Sequence, residues 1–287
     1  MRSMIVFSLC LGGAVALSGC ESKMSDEEVE RAVAGVNVID ESNLNDVMIS
    51  SADPEEAVAY FTRTHQQYPD RIDVQRGLAK SLVRAKRPAE AARVWTRIVD
   101  SSEATSEDRV ALADALIRAG DWSKAEDALN QIPPTFETYD RYRLEAMVAD
   151  ADKDWKKADS FYETAAGLTT QPARTLNNWG FSKLSRGDFK GAEKLFLEAL
   201  TYDSAMFTAK NNLMMARGGQ RKYDVPAISM TQIERAQLLY TLALAAIKQG
   251  DVSMGKTLLE EAVETHPQHF DEAVRSLRAL EADVQRG

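Results

Sequence analysis

Residues 173–206 read ARTLNNWGFSKLSRGDFKGAEKLFLEALTYDSAM, and this stretch decides how the chain folds. Leu176, Trp179, Gly180 and Lys183 fall three and four apart, the spacing of one face of a helix. Gly187-Asp188 then breaks the pattern: glycine ends one helix, and aspartate can cap the next. A second face follows in Ala192, Phe196 and Ala199. The same phrase returns at Gly120-Asp121-Trp122, Lys153-Asp154-Trp155 and Gly250-Asp251-Val252. Working outward, a small residue four before a large one recurs as Ala57/Phe61, Ala91/Trp95, Ala125/Leu129, Ala158/Tyr162 and Ala192/Phe196. Those alanines lie 34, 34, 33 and 34 residues apart. One helical hairpin cannot bury its own apolar face, so a repeat of this length predicts hairpins that stack on one another.

The period and residue types resemble the tetratricopeptide repeat (TPR). Counting from Ala173, Leu176 stands at position 4, Trp179 at 7, Gly180 at 8, Ala192 at 20, Phe196 at 24 and Ala199 at 27. Lys183 at the aromatic position 11 and Ser204 at the proline position depart from the pattern. The resemblance implies an all-α solenoid of helical hairpins, coiled as a right-handed superhelix, over residues 38–285. Repeats read as 38–71, 72–105, 106–138, 139–172, 173–206 and 236–269. The first has a poor leading helix, Asn43 to Ser50, and Pro133-Pro134 shortens the third. After Met206 a leading helix, Phe207 to Arg217, lacks its partner, and residues 218–230 read as a loop insertion. Residues 270–285 read as an amphipathic capping helix, with Phe270, Val274, Leu277 and Leu280 on one face.

The 287 residues are 44% hydrophobic and 28% charged, with few Gly and Pro, a mix that favours helix. The net charge is -9, and loss of residues 1–19 takes one cation, Arg2, and no acid, giving -10. No basic block is present, which argues against nucleic-acid binding. Both cysteines, Cys10 and Cys20, lie at the N-terminus. There Arg2 precedes an apolar run, Met4 to Leu17, too short to span a bilayer comfortably. It ends in Leu17-Ser18-Gly19-Cys20, which resembles the bacterial lipobox at every position. The resemblance implies that residues 1–19 are a signal peptide and that Cys20 carries a diacylglycerol and an acyl chain such as palmitate. Several chains together anchor stably. Residues 20–37 read as a polar tether, and Glu21 points to the outer membrane, facing the periplasm.

Few residues invite a chemical reading. Gly250 to Thr257 spells the phosphate-loop pattern G-x-x-x-x-G-K-T, but a helical stretch precedes it where a strand is required, and Asp251 would oppose phosphate. His266 and His269 are too few for a zinc site. Trp95, Trp155, Trp179, Phe189 and Phe196 occupy packing positions of the repeat. The expectation is therefore a binding protein with no catalytic residue, metal, nucleotide or cofactor.

TPR leading helices usually line the groove of the superhelix through positions 2, 5, 6, 9, 12 and 13. Here that assigns Arg76, Lys80 and Arg84, then Asp114 and Ile117, then Arg143 and Met147, then Asn177, Asn178, Phe181 and Leu184, then Asn211, Asn212 and Met215. The two Asn-Asn pairs, 34 apart, could bond the backbone of an extended peptide, with Phe181 and Met215 receiving its apolar side chains. The lipobox, the repeats, the two Leu/Lys-Asn-Asn segments and Tyr223-Asp-Val-Pro together resemble the TadD-like TPR lipoproteins of Tad (Flp) pilus systems. That resemblance implies help in assembling the pilus machine, with its secretin or other Tad components as partners. The alternative is another cell-envelope TPR lipoprotein, serving outer-membrane protein insertion or cell-wall synthesis.

Overall fold

Helices form where the 34-residue phrase places them. The computed structural model describes residues 44–284, and α-helix is the regular structure found there. The chain runs as successive hairpins: α1 (residues 44–50) with α2 (Pro54–Gln67), α3 (Ile72–Arg84) with α4 (Pro88–Val99), and α5 (Ser106–Ala119) with α6 (Trp122–Asn130). Next come α7 (Tyr139–Ala151) with α8 (Trp155–Gly167), and α9 (Ala173–Ser185) with α10 (Phe189–Tyr202). After a single helix, α11 (Phe207–Gly219), the hairpin α12 (Gln232–Lys248) and α13 (Val252–Thr265) leads to α14 (Asp271–Val284). From α2 onward each helix packs against its neighbours in chain order, which makes the fold an all-α solenoid. No described helix is long and apolar enough to cross a membrane. Residues 1–19, Cys20 and the tether lie outside the described residues.

The turns follow from two residues each. Gly120, Gly187 and Gly250 take φ of 83°, 83° and 84°, the left-handed conformation that glycine adopts without strain. Lys86 and Lys153 adopt the same conformation in the equivalent turns. Asp121, Asp154 and Asp188 then accept hydrogen bonds from the N–H groups of Lys124, Lys157 and Gly191, capping the helices they precede. Asp251 does not cap α13. Its carboxylate is taken by Arg221, at 3.1 Å to each oxygen, and by the Tyr223 hydroxyl.

The five periodic alanines, Ala57, Ala91, Ala125, Ala158 and Ala192, are each 0% exposed, so the 34-residue period is a packing period. Close crossings explain the small residues. A Cβ on Gly180 would stand 2.6 Å from the Phe196 ring, and one on Gly255 would stand 2.4 Å from Ile247. Phe196 is fully buried, as is Trp95 nearly so, while Trp155, Trp179 and Phe189 are only half-buried. The weak α1 is held by Arg84, whose guanidinium donates to the carbonyls of Met48, Ile49 and Ala52. Those carbonyls would otherwise be orphaned at a helix end.

The insertion begins later than its sequence suggests. Gly218 and Gly219 do not open a loop but finish α11. Two close approaches require them: a Cβ on Gly218 would lie 2.4 Å from that of Ala245 in α12, and one on Gly219 would lie 2.7 Å from the Phe189 ring. The non-helical segment is residues 220–231, ended by the capping box of Thr231 and Glu234. It covers the core in place of a second helix, through Tyr223, Val225, Ile228 and Met230. Glu193 of α10 gathers Arg217, Gln220 and Lys222 and fixes where the segment starts.

The buried core is not continuous. One cluster runs from Val58 to Val148 and another from Leu176 to Phe270 and Ala273. Between them lies a small group of Ala146, Ala149, Ala158 and Tyr162. There α8 meets α9 through a polar seam: Asp159 accepts from Trp179 Nε1 (2.6 Å), Lys183 (3.1 Å) and Arg186. Burial alone would raise the Asp159 carboxyl, but these donors hold it below the usual carboxylate range.

Candidate binding groove

Position 9 of each leading helix is exposed or half-buried, with Met147 packed partly against the core. Along the solenoid these residues are Lys80, Asp114, Met147, Phe181, Met215 and Leu244. The row changes from charged to apolar, and its last three members stand 53%, 42% and 43% exposed. Large apolar side chains aligned on one face in this way mark an interaction surface rather than scattered surface apolarity.

Four adjoining cavities run along this face. The first, about 400 Å³, lies between α5 and α7 and includes Asp114, Arg118 and Arg143. The second, about 610 Å³, shares Arg143 and Arg118 with it and adds Arg174, Asn177, Asn178 and Thr208. The third, about 540 Å³, shares Asn177, Asn178 and Thr208 and is walled by Trp122, Trp155 and Phe181. The fourth, about 580 Å³, meets the third at Phe181 and Ser185 and is floored by Leu184, Met215, Tyr240 and Leu244.

The structure thus brings Asn177, Asn178, Phe181, Asn212, Met215 and Arg143 onto one surface. Arg76 and Lys80 do not line these cavities. Arg76 is held by the Asp108 carboxylate, at 2.9 and 2.7 Å, and by the Glu103 carbonyl, while Lys80 stands exposed on α3. The amide pairs differ from an open ladder. Asn212 Nδ2 donates to Asn177 Oδ1 at 3.1 Å, and both side chains are buried, so they bond each other across neighbouring helices. Asn211 Oδ1 accepts from Thr241 at 2.7 Å. Of the four amides, Asn178 is the one left to meet a ligand's backbone.

Leu244 and Tyr240 were not among the expected groove residues. They occupy positions 9 and 5 of the last repeat, but the 12-residue segment before α12 breaks the 34-residue count that located Phe181 and Met215. Counting back from the Gly250-Asp251 turn recovers them.

The phosphate-loop pattern sits in a helix–turn–helix: Gly250 is the left-handed turn residue and Gly255 packs on Ile247. His266 bonds the backbone of Gln268, and His269 pairs with Asp271. Among the described residues no group of three or more His, Cys, Asp or Glu is placed to hold a metal.

Stacked hairpins with a side-chain-lined face define a helical-repeat scaffold. Two family models described as tetratricopeptide repeat match residues 48–107 and 237–269. Those two segments match the tetratricopeptide repeat, and solved structures agree on the fold of the chain as a whole. A chain of the APC/C hetero-tetramer Cut9–Hcn1 superposes with a TM-score of 0.57 at 14% identity, over 82% of this chain. This chain spans only 48% of that one's length. A TPR protein from Parabacteroides merdae gives 0.56 at 12% identity, covering 83% of this chain and 96% of its own. The C-terminal part of a TPR protein from Cytophaga hutchinsonii gives 0.54 at 13% identity, covering 82% and 98%. No curated protein matches the chain.

Proposed function

We propose that the chain is a lipid-anchored scaffold that grips an extended segment of a partner protein along its leading-helix face. The observation that carries this is the row Phe181, Met215 and Leu244, exposed side by side over a cavity of about 580 Å³. Peptide recognition in such grooves places apolar side chains in pockets while polar groups bond the backbone, and Asn178 stands beside the row to do so. The Leu17-Ser18-Gly19-Cys20 lipobox supports attachment through Cys20, and Glu21 supports the outer membrane, facing the periplasm. Resemblance to TadD-like lipoproteins supports Tad (Flp) pilus assembly as the setting, with the secretin or other Tad components as partners.

The test is a pull-down of the tagged, lipidated protein from detergent-solubilised membranes, run beside Phe181→Glu, Leu244→Glu and Cys20→Ser. Secretin or other Tad components are expected with the parent and at least tenfold depleted with either groove variant. Cys20→Ser is expected to leave the membrane fraction. Recovery of outer-membrane insertion or cell-wall enzymes would replace the pilus setting. Undiminished capture by both groove variants would remove the groove.

A further inference from the structure

The cavity between Trp122 and Phe181 differs in chemistry from its neighbours. Four aromatic residues, Trp122, Trp155, Tyr162 and Phe181, line it beside neutral polar ones, and Asp150 is the one charged residue among those that line it. The Asp150 carboxylate is bonded by two neutral donors, the Tyr162 hydroxyl at 2.9 Å and the Ser182 hydroxyl at 2.6 Å. No cation bonds it among the described residues. The guanidiniums nearby are already paired: Arg143 with Asp114 and Asp140, and Arg186 with Asp159. Asp150 also sits in the last turn of α7, where the helix dipole opposes a negative charge, and Asp152 follows at the C-cap. Burial raises its carboxyl above the usual range. Trp155, in the wall, already carries Arg186 against its ring at 5.4 Å. A half-buried carboxylate in a cavity lined by aromatic residues is stabilised when a positive group arrives, and such rings favour a cation beside them.

We infer that this cavity receives a lysine or arginine side chain of the bound segment, while a large apolar residue of the same segment fills the cavity beyond Phe181. This rests on the groove reading above and adds the partner's chemistry to it. The order of the two pockets follows from Phe181, which walls both. The net charge of -9 suits a basic partner. The pocket thereby selects segments in which a cation neighbours an apolar side chain, and it rejects purely apolar or acidic ones.

The full-length chain, held in detergent, would be panned against a phage-displayed random dodecapeptide library. Enriched peptides are expected to pair Lys or Arg with a large apolar residue. Replacing that Lys or Arg by norleucine in the synthetic peptide should weaken binding about tenfold, the scale of a desolvated cation–π contact with its carboxylate. Asp150→Asn and Trp122→Ala should lose the same factor toward the basic peptide and none toward the norleucine peptide. Thermal melts of both variants establish that they fold. Enrichment of apolar peptides lacking a basic residue, lost in Phe181→Glu and kept in Asp150→Asn, would overturn the cation site and leave the groove standing. Peptides indifferent to all three substitutions would overturn both.

Discussion

Arg76 and Asp108 show how a residue that reads as part of a binding face is spent on the fold. The Asp108 side chain is 4% exposed, accepts hydrogen bonds from Nε and Nη2 of Arg76, and completes a capping box with Thr105. Burial pushes the Asp108 carboxyl up, but Arg76 and the Thr105 N–H outweigh it and leave it below its ordinary value. A depressed carboxyl contributes stability that is complete above its unfolded value, near 3.8, and is lost as pH falls through the lower folded value. Asp108→Asn is therefore expected to cost about 2–3 kcal/mol at pH 7, by loss of a buried charged hydrogen bond and a cap. Its deficit should shrink below about pH 4, read by urea unfolding across pH. Asp150 has the opposite sign. Its carboxyl is raised, so the charged form costs stability above the folded value, and the cost fades as pH falls to the unfolded value. Asp150→Asn should melt no lower than the parent, and by calorimetry about 1–3 °C higher.

At the scale of elements, the hairpins were legible because one residue pair makes each turn and one small residue makes each crossing. Gly187-Asp188 and Ala192 announce α9 and α10 without any knowledge of what they touch. Gly218 and Gly219 misled for a physical reason: the same residue type serves turns and close packing, and only the partner helix distinguishes the two. Ala245 lies in a helix 27 residues on, beyond any local pattern. The same limit hid the amide pairing of Asn177 with Asn212, since the spacing shows that they stack but not that they bond. Leucine and tyrosine at positions 244 and 240 were readable only from the following turn. Gly218→Val tests the crossing: the added Cβ meets a helix that cannot retreat without exposing Leu242 and Ala246, both 0% exposed. A loss of about 1–3 kcal/mol is expected by chemical denaturation, the usual cost of overpacking.

At the scale of the whole molecule, the two apolar cores and the polar seam between them decide how the solenoid comes apart. Stability in such arrays is a sum over neighbours, so the weakest interface sets where cooperativity breaks. The seam at α8 and α9 rests on Asp159 and on Tyr162, stacked on Trp179 with centroids 6.4 Å apart. Asp159→Asn removes its charge from Lys183 and Arg186. Urea unfolding of this variant is expected to resolve into two steps, with Trp179 fluorescence changing in the first. A single sharp transition would mean that the cores fold as one.

That seam also has a mechanical meaning. If the chain is drawn out from its two ends, tension passes along the stack in series, and every joint bears the same load. The joint of ion pairs yields before the joints of interlocked leucine and alanine. Stretched between its ends, the molecule would part at α8 and α9 into two intact springs, beside the pocket that Asp150 and Ser182 build across that same line.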